Sequence, residues 1–354
     1  MIVRIQGVSE LQNQIYYDYD TEAIPLGQGG MGIVYPGRCF RVDNPEEYIP
    51  VAIKLMTNTN QDMIKRAMRE ASIQIDDPNL LRMYGFIPNM EPDPYTHEMK
   101  PKYYMVMERL DGVSLENLLE GVFCSITGTD INAARELYNL GMNDRKAFTA
   151  KIMEPVLRGV ECLHQAGYIH RDLDPSNIMI TQSNEIKIID YGVCKPVATN
   201  VADEKLTQTG AIIGKVDYAA PELLTGDIRH HNFTTDIYAL GIMMFRLFVG
   251  SLPFTGDNTV VTKAHLTEPV PTGNISDPEI RRIIEKATQK AQEYRYQSVN
   301  EMLSDLKEAI CTEKEPVKDE EIKVETHKAQ DTRLPWILSA TAGLAAGIAT
   351  AFII

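Results

Sequence analysis

Apolar and polar positions change rhythm about a third of the way along the chain. From residue 15 to 56, short apolar runs alternate with turn residues around a glycine cluster, which is the rhythm of strands. Residues 60–75 (NQDMIKRAMREASIQI) then place apolar side chains at helical spacing, predicting a small sheet with one helix. From about residue 113 the period lengthens. The segments 114–120, 144–166, 234–250, 277–291 and 298–310 read as helices, and only 178–190 reads as strand. Strands first and helices later predict an α+β protein with two lobes, residues 1–110 and 111–312, crossing near Glu108 to Gly112. No internal repeat is visible.

Beyond the second lobe the pattern changes twice. Residues 313–334 (EKEPVKDEEIKVETHKAQDTRL) mix charges of both signs with few large apolar side chains, as a solvated linker does. Residues 335–354 then form a predicted transmembrane helix. No charged residue occurs from Trp336 to Ile354, and a helix of that length rises about 28 Å, enough to cross a hydrocarbon core. A buried C-terminal helix of the globular part is the alternative, and the intervening charged stretch argues against it. Ser339, Gly343, Gly347 and Ala351 recur every four residues, so the Gly343/Gly347 face suits a homodimer as well as a merely weakly apolar span. The opening MIVRIQGVSE has no long apolar stretch after a basic start, so no secretory signal is expected.

Composition narrows the class. A hydrophobic content of 44% and a charged content of 24% are ordinary for a folded chain, which sets disorder aside. A formal net charge of -14 opposes phosphate backbones, so no nucleic-acid partner is expected. Five cysteines (Cys39, Cys124, Cys162, Cys194, Cys311) show neither CxxC nor zinc spacing and read as reduced thiols.

Candidate chemistry begins at LGQGGMGIVY, residues 26–35. Gly27, Gly29 and Gly32 make G-x-G-x-x-G, which lets backbone amides approach phosphate oxygens; by itself this is equally a glycine-rich hairpin. VAIK (51–54) follows, and Lys54 one strand pair later can reach phosphates as a compact positive charge. Glu70, on the next helix, is suited to pairing that ammonium, although most helix glutamates are only solvated charges. His170-Arg171-Asp172, then Asn177, then Asp190-Tyr191-Gly192 supply a base and two oxygen ligands for a hard cation.

This ordered set resembles the protein kinases of the serine/threonine type, especially the bacterial eukaryotic-like kinases with a C-terminal membrane anchor. GQGGMGIVY, VAIK, HRDLDPSN, DYG, YAAPE (218–222) and DIYALG (236–241) occur in the family's order over about residues 15–311. The resemblance implies a bilobal kinase fold, ATP with Mg2+ or Mn2+, and protein substrates. It implies that Leu26, Gly27, Gly29, Gly32, Val34, Ala52 and Lys54 line the nucleotide site, with Met107 as gatekeeper and the backbone of Glu108 and Leu110 at the adenine edge. By the same resemblance Lys54 pairs with Glu70, Asp172 is the base, and Asn177 and Asp190 hold the metal. Glu222 and Arg295 resemble the family's buried ion pair, and Arg171 is expected to bind a segment phosphorylated at Thr207 or Thr209.

Two departures matter. The family usually has lysine two residues after the catalytic aspartate; this chain has Asp174. Where the family has threonine in G-T-x-x-Y-x-A-P-E, GKVDYAAPE (214–222) has Lys215. A reciprocal exchange is expected, in which Asp174 pairs with Lys215 and the ammonium serves the transferred phosphoryl group. Two independent drifts in a weakened enzyme are the alternative. Tyr191 replaces the usual phenylalanine, and 88–102 and 121–147 look extended. The expected function is a single-pass membrane kinase, its catalytic lobes cytoplasmic, that phosphorylates Ser/Thr hydroxyls and its own activation segment. The alternative is a pseudokinase scaffold that binds nucleotide.

Overall fold

The computed structural model describes residues 1–29, 32–57, 60–92, 97–190, 195–196, 215–226 and 228–311. Tyr191, Gly192, Thr207, Thr209, the 313–334 linker and the 335–354 helix with Gly343 and Gly347 lie outside the described residues. Among the described residues no helix is long and apolar enough to cross a membrane.

The first lobe is an antiparallel sheet of seven strands. Its elements are β1 (Ile2–Ile5), α1 (Val8–Gln12), β2 (Ile15–Asp20), β3 (Gly27–Gly29), β4 (Gly32–Arg41), β5 (Asn44–Met56), α2 (Gln61–Ser72), β6 (Met83–Pro92) and β7 (Met99–Glu108). The spatial order is β1-β2-β4-β5-β7-β6, with β3 folded onto β4. Alternation sorts the side chains between two faces. Ala52, Met56, Met105 and Met107 join the main core on one face. Val51, Ile53, Tyr104 and Val106 pack with Ile5, Tyr17 and Tyr19 on the other. The aromatic residues of β2 cover that second face, which explains why the sheet needs the N-terminal strands. Of the extension expected at 88–102, the described residues Pro88–Pro92 and Met99–Lys102 are the outer parts of the paired strands β6 and β7.

The second lobe contains β8 (Gly112–Ser114), α3 (Leu115–Leu119), α4 (Asn132–Asn143), α5 (Arg145–Gln165), β9 (Tyr168–Ile169), β10 (Ile178–Thr181), β11 (Ile186–Ile188) and β12 (Lys195–Pro196). Then come α6 (Pro221–Leu224), α7 (Phe233–Val249), α8 (Asn258–Thr267), α9 (Pro278–Ala287) and α10 (Val299–Cys311). The five expected helices are present within a few residues, apart from 277–291, which ends at Ala287. Helices α4, α6 and α8 were not expected, nor were the short strands β9 and β12. Helix α4 is the extension at 121–147, and it buries Ala133, Ala134 and Leu137 against the core. Polar caps start the principal helices: Asp144 for α5, Asn232 with Thr235 for α7, Asp257 for α8 and Asp277 before Pro278 for α9. The chain leaves α7 through Gly250 at φ 92°, a left-handed position suited to glycine. A three-stranded sheet, β11-β10-β8, lies at the base of the crossing and presents the loops on either side of β10 and β11.

Candidate active site

Register on the sheet explains how the first lobe gathers its site residues. Gly27 pairs with Val34, Val34 with Lys54, and Lys54 with Met105; one step along, Ala52 pairs with Met107. Cross-strand partners share a face, so Val34, Ala52, Lys54 and Met107 lie on one surface of the sheet. Leu26 is tied to it by its N–H on the Val34 carbonyl at 2.7 Å. The three glycines differ. A Cβ at Gly27 or Gly29 would meet no atom within 4 Å, leaving that stretch of backbone open to a ligand. A Cβ at Gly32 would run into the Leu55 carbonyl, so this glycine is demanded by β4–β5 packing.

At the crossing, the Glu108 N–H donates to the Arg82 carbonyl at 2.9 Å, and the Leu110 N–H has no acceptor among the described residues. The Glu108 side chain, unassigned by sequence reasoning, accepts from buried Lys187 on β11 at 3.1 Å. That ion pair ties the crossing to the strand leading to Asp190.

Lys54 lies on β5, in the middle of the sheet, and Glu70 on α2. Glu70 is 4% exposed on α2, which packs chiefly over β6 and β7, one strand beyond Lys54 on β5.

The loop between β9 and β10 is held from below by Asp236 at the start of α7. Its carboxylate accepts from the N–H groups of His170 and Arg171, each at 2.8 Å, and bonds the His164 ring at 2.8 Å. Burial opposes its ionisation, but the His164 hydrogen bond, the nearby His164 and His170 rings and the Arg171 N–H prevail. They hold its pKa below the usual carboxylate range. Arg171 occupies φ 68°, a strained position that the two bonds to Asp236 hold in place. Within DIYALG, nothing in the sequence alone marks Asp236 for this role.

Within that loop, the Asn177 amide donates to the Asp172 carbonyl at 2.8 Å, which leaves its own oxygen as an acceptor for a cation. The Asp172 carboxyl is pushed above its usual range first by burial and then by the negative charges of Asp174 and Asp190. The His170 ring and the Asn177 amide oppose that shift. The three acids therefore converge. One amide oxygen and carboxylates fit a hard divalent ion such as magnesium.

Asp174 is 2% exposed and caps the short turn Pro175–Asn177. One of its oxygens accepts from the Ser176 N–H at 2.7 Å, the Ser176 hydroxyl at 2.6 Å and the Lys215 ammonium at 2.9 Å. The half-exposed Lys215 side chain keeps two further N–H donors. The carboxylate is thus enclosed and answered by a cation, with the ammonium on the outer side of the pair.

Below the site, Arg295 makes five hydrogen bonds: two to Glu222 at 2.8 and 3.0 Å, and one each to the carbonyls of Gln289, Thr234 and Lys290. His231 is buried beside this pair, its Nε2 3.3 Å from the Glu222 carbonyl.

This arrangement coincides with a family match. The protein kinase domain model matches residues 21–315. The chain belongs to the protein kinase family. Among its relatives are the probable serine/threonine-protein kinase PknB of Lactococcus lactis, 30% identical over 79% of this chain and 40% of that protein. PrkC of Bacillus subtilis is 29% identical over 80% of this chain and 39% of that protein, and PknA of Corynebacterium glutamicum is 31% identical over 84% and 57%. The match therefore spans about two fifths of the first two relatives. Strand β1, helix α1 and strand β2 all precede the matched residues.

Proposed function

We propose that this kinase-family chain is an ATP-dependent serine/threonine protein kinase, held at a membrane by residues 335–354 with its catalytic lobes in the cytoplasm. The observation that carries the reading is the convergence of Asp172, Asn177 and Asp190 on one loop pair beside a glycine-lined sheet face. Asp172 accepts the proton of the attacking hydroxyl, and its raised pKa strengthens it as a base. The Asn177 oxygen and the Asp190 carboxylate would hold magnesium, or manganese in its place. The bound metal neutralises triphosphate charge. The amides of Gly27 and Gly29 and the Lys54 ammonium receive phosphate oxygens, while the Glu108 carbonyl and Leu110 N–H meet the base.

Asp174 alone would favour a nucleotide-binding scaffold, because a carboxylate repels the transferred group. Its pairing with Lys215 at 2.9 Å favours catalysis instead, since a cation remains beside the reacting atoms. The substrates are protein hydroxyls, including Thr207 and Thr209 of the chain's own activation segment, where Arg171 would bind the new phosphate. A homodimer through Gly343 and Gly347 would place two such segments within reach of each other.

The test is phosphate transfer from ATP with magnesium by the purified chain. The wild type is expected to label itself and a protein substrate, and Asp172→Asn to lose at least about a hundredfold in rate. Equal incorporation by the two proteins would refute the assignment.

A further inference from the structure

A hydrogen-bonded chain of buried and half-buried side chains runs from just beyond α9 to the segment that carries Lys215, and the kinase reading leaves it without a role. Lys290, just beyond α9, donates from Nζ to the Tyr238 hydroxyl on α7 at 2.9 Å. The Tyr238 oxygen lies 2.9 Å from His265 Nδ1 on α8, and His265 Nε2 lies 3.0 Å from the Asp217 carbonyl. Tyr238 and His265 are both fully buried. The ring of Phe254 closes on His265 edge-on, with centroids 5.0 Å apart.

Donor and acceptor roles in this chain follow from chemistry. A carbonyl can only accept, so His265 Nε2 carries the proton it shares with Asp217. Burial and the nearby Lys290 charge lower the His265 pKa to about 4, which keeps the ring neutral at pH 7 and makes Nδ1 an acceptor. The Tyr238 hydroxyl must then donate to Nδ1 while its oxygen accepts from the Lys290 ammonium. Every bond points the same way, from Lys290 towards Asp217.

Asp217 lies two residues after Lys215 and one before Tyr218, whose hydroxyl accepts from Arg246 at 2.5 Å. Arg246 in turn bonds Glu116 of α3 at 2.8 and 2.9 Å. The backbone behind Lys215 is thus held at consecutive residues by two independent side-chain chains. We infer that Tyr238, His265 and Lys290 are positioning residues for phosphoryl transfer: by fixing the Asp217 carbonyl they hold Lys215 where its ammonium meets Asp174 and the reacting group. This rests on the role proposed above for Lys215. Because Lys215 would act on charge developing during transfer, a displaced segment should cost kcat rather than nucleotide affinity.

The experiment compares Tyr238→Phe, Lys215→Met and the double variant in the full chain, using ATP, magnesium and casein. Rates are normalised to folded protein by nucleotide-binding stoichiometry. Tyr238→Phe is expected to lower kcat about fivefold at unchanged KM for ATP, and to add less than about twofold to Lys215→Met. Nitrogen NMR of His265 supplies a readout independent of turnover. The Nε2–H tautomer is expected in the wild type, with the Nδ1 signal shifting when the Tyr238 donor is removed. Full kcat in Tyr238→Phe, losses that multiply in the double variant, or an Nδ1–H tautomer would each overturn the inference. Full kcat in Lys215→Met is a different failure: it removes the proposed role of Lys215 itself, whatever Tyr238→Phe does.

Discussion

Asp172 and Asp174 show how two carboxylates on one short loop acquire different properties. Asp172 is buried among negative charges, so its pKa is raised; ionisation then costs the folded state more than the unfolded one. The folded state holds the proton more tightly, so the penalty is absent below the unfolded carboxylate value and grows as pH rises through the raised folded one. Asp172→Asn should therefore raise Tm while abolishing phosphate transfer, as thermal scans at pH 7 and pH 4 would reveal: the gain appears at pH 7 and shrinks at pH 4. Asp174 instead receives three donors on one oxygen, one of them Lys215. Asp174→Lys and Lys215→Thr are each expected to cut kcat about tenfold or more, and the pair together to recover most of it. Simple multiplication of the two losses would mean that the pair has no catalytic coupling.

Among the elements, the β3–β4 hairpin and the α6 anchor divide labour between ligand and fold. Gly29→Ala meets open space and should alter KM for ATP without loss of stability. Gly32→Ala forces the β4 backbone off the Leu55 carbonyl and should lower Tm as well. Differential scanning calorimetry beside ATP titrations separates the two. At the other end, the Glu222 pKa is lowered: burial opposes ionisation, but the Arg295 bond prevails. Glu222→Ala strands a guanidinium that is 0% exposed, a cost of about 3–5 kcal/mol measurable by denaturant unfolding. Much of this was legible beforehand, because glycine spacing, the VAIK strand and the long apolar helices are local signals. Helix α8 was missed because its apolar positions are few and its seat is made by α6 and the Val216–Tyr218 turn, a tertiary matter. Sequence order puts Glu70 on the helix after Lys54, but packing decides that α2 sits chiefly over β6 and β7.

For the molecule as a whole, the same contrast holds between motif and partner. Asp174 with Lys215 was anticipated because two departures of opposite sign invite pairing, whereas Ser176, Asp236 and Lys187 were not, since ordinary polar residues announce nothing until the fold supplies their neighbours. The proposed tether is the largest-scale expectation, and its physics is simple. Nineteen uncharged residues from Trp336 to Ile354 gain by entering hydrocarbon, while each arginine at the centre of a span costs about 2.5–3.5 kcal/mol. Membranes from cells producing the full chain should retain it through alkaline carbonate washing. Leu344→Arg with Ala345→Arg should release it into the supernatant with its phosphate transfer to casein intact, because the kinase lobes end near residue 311. Release of the wild type by the same wash would dispose of the tether, and with it the membrane-embedded dimer proposed through Gly343 and Gly347.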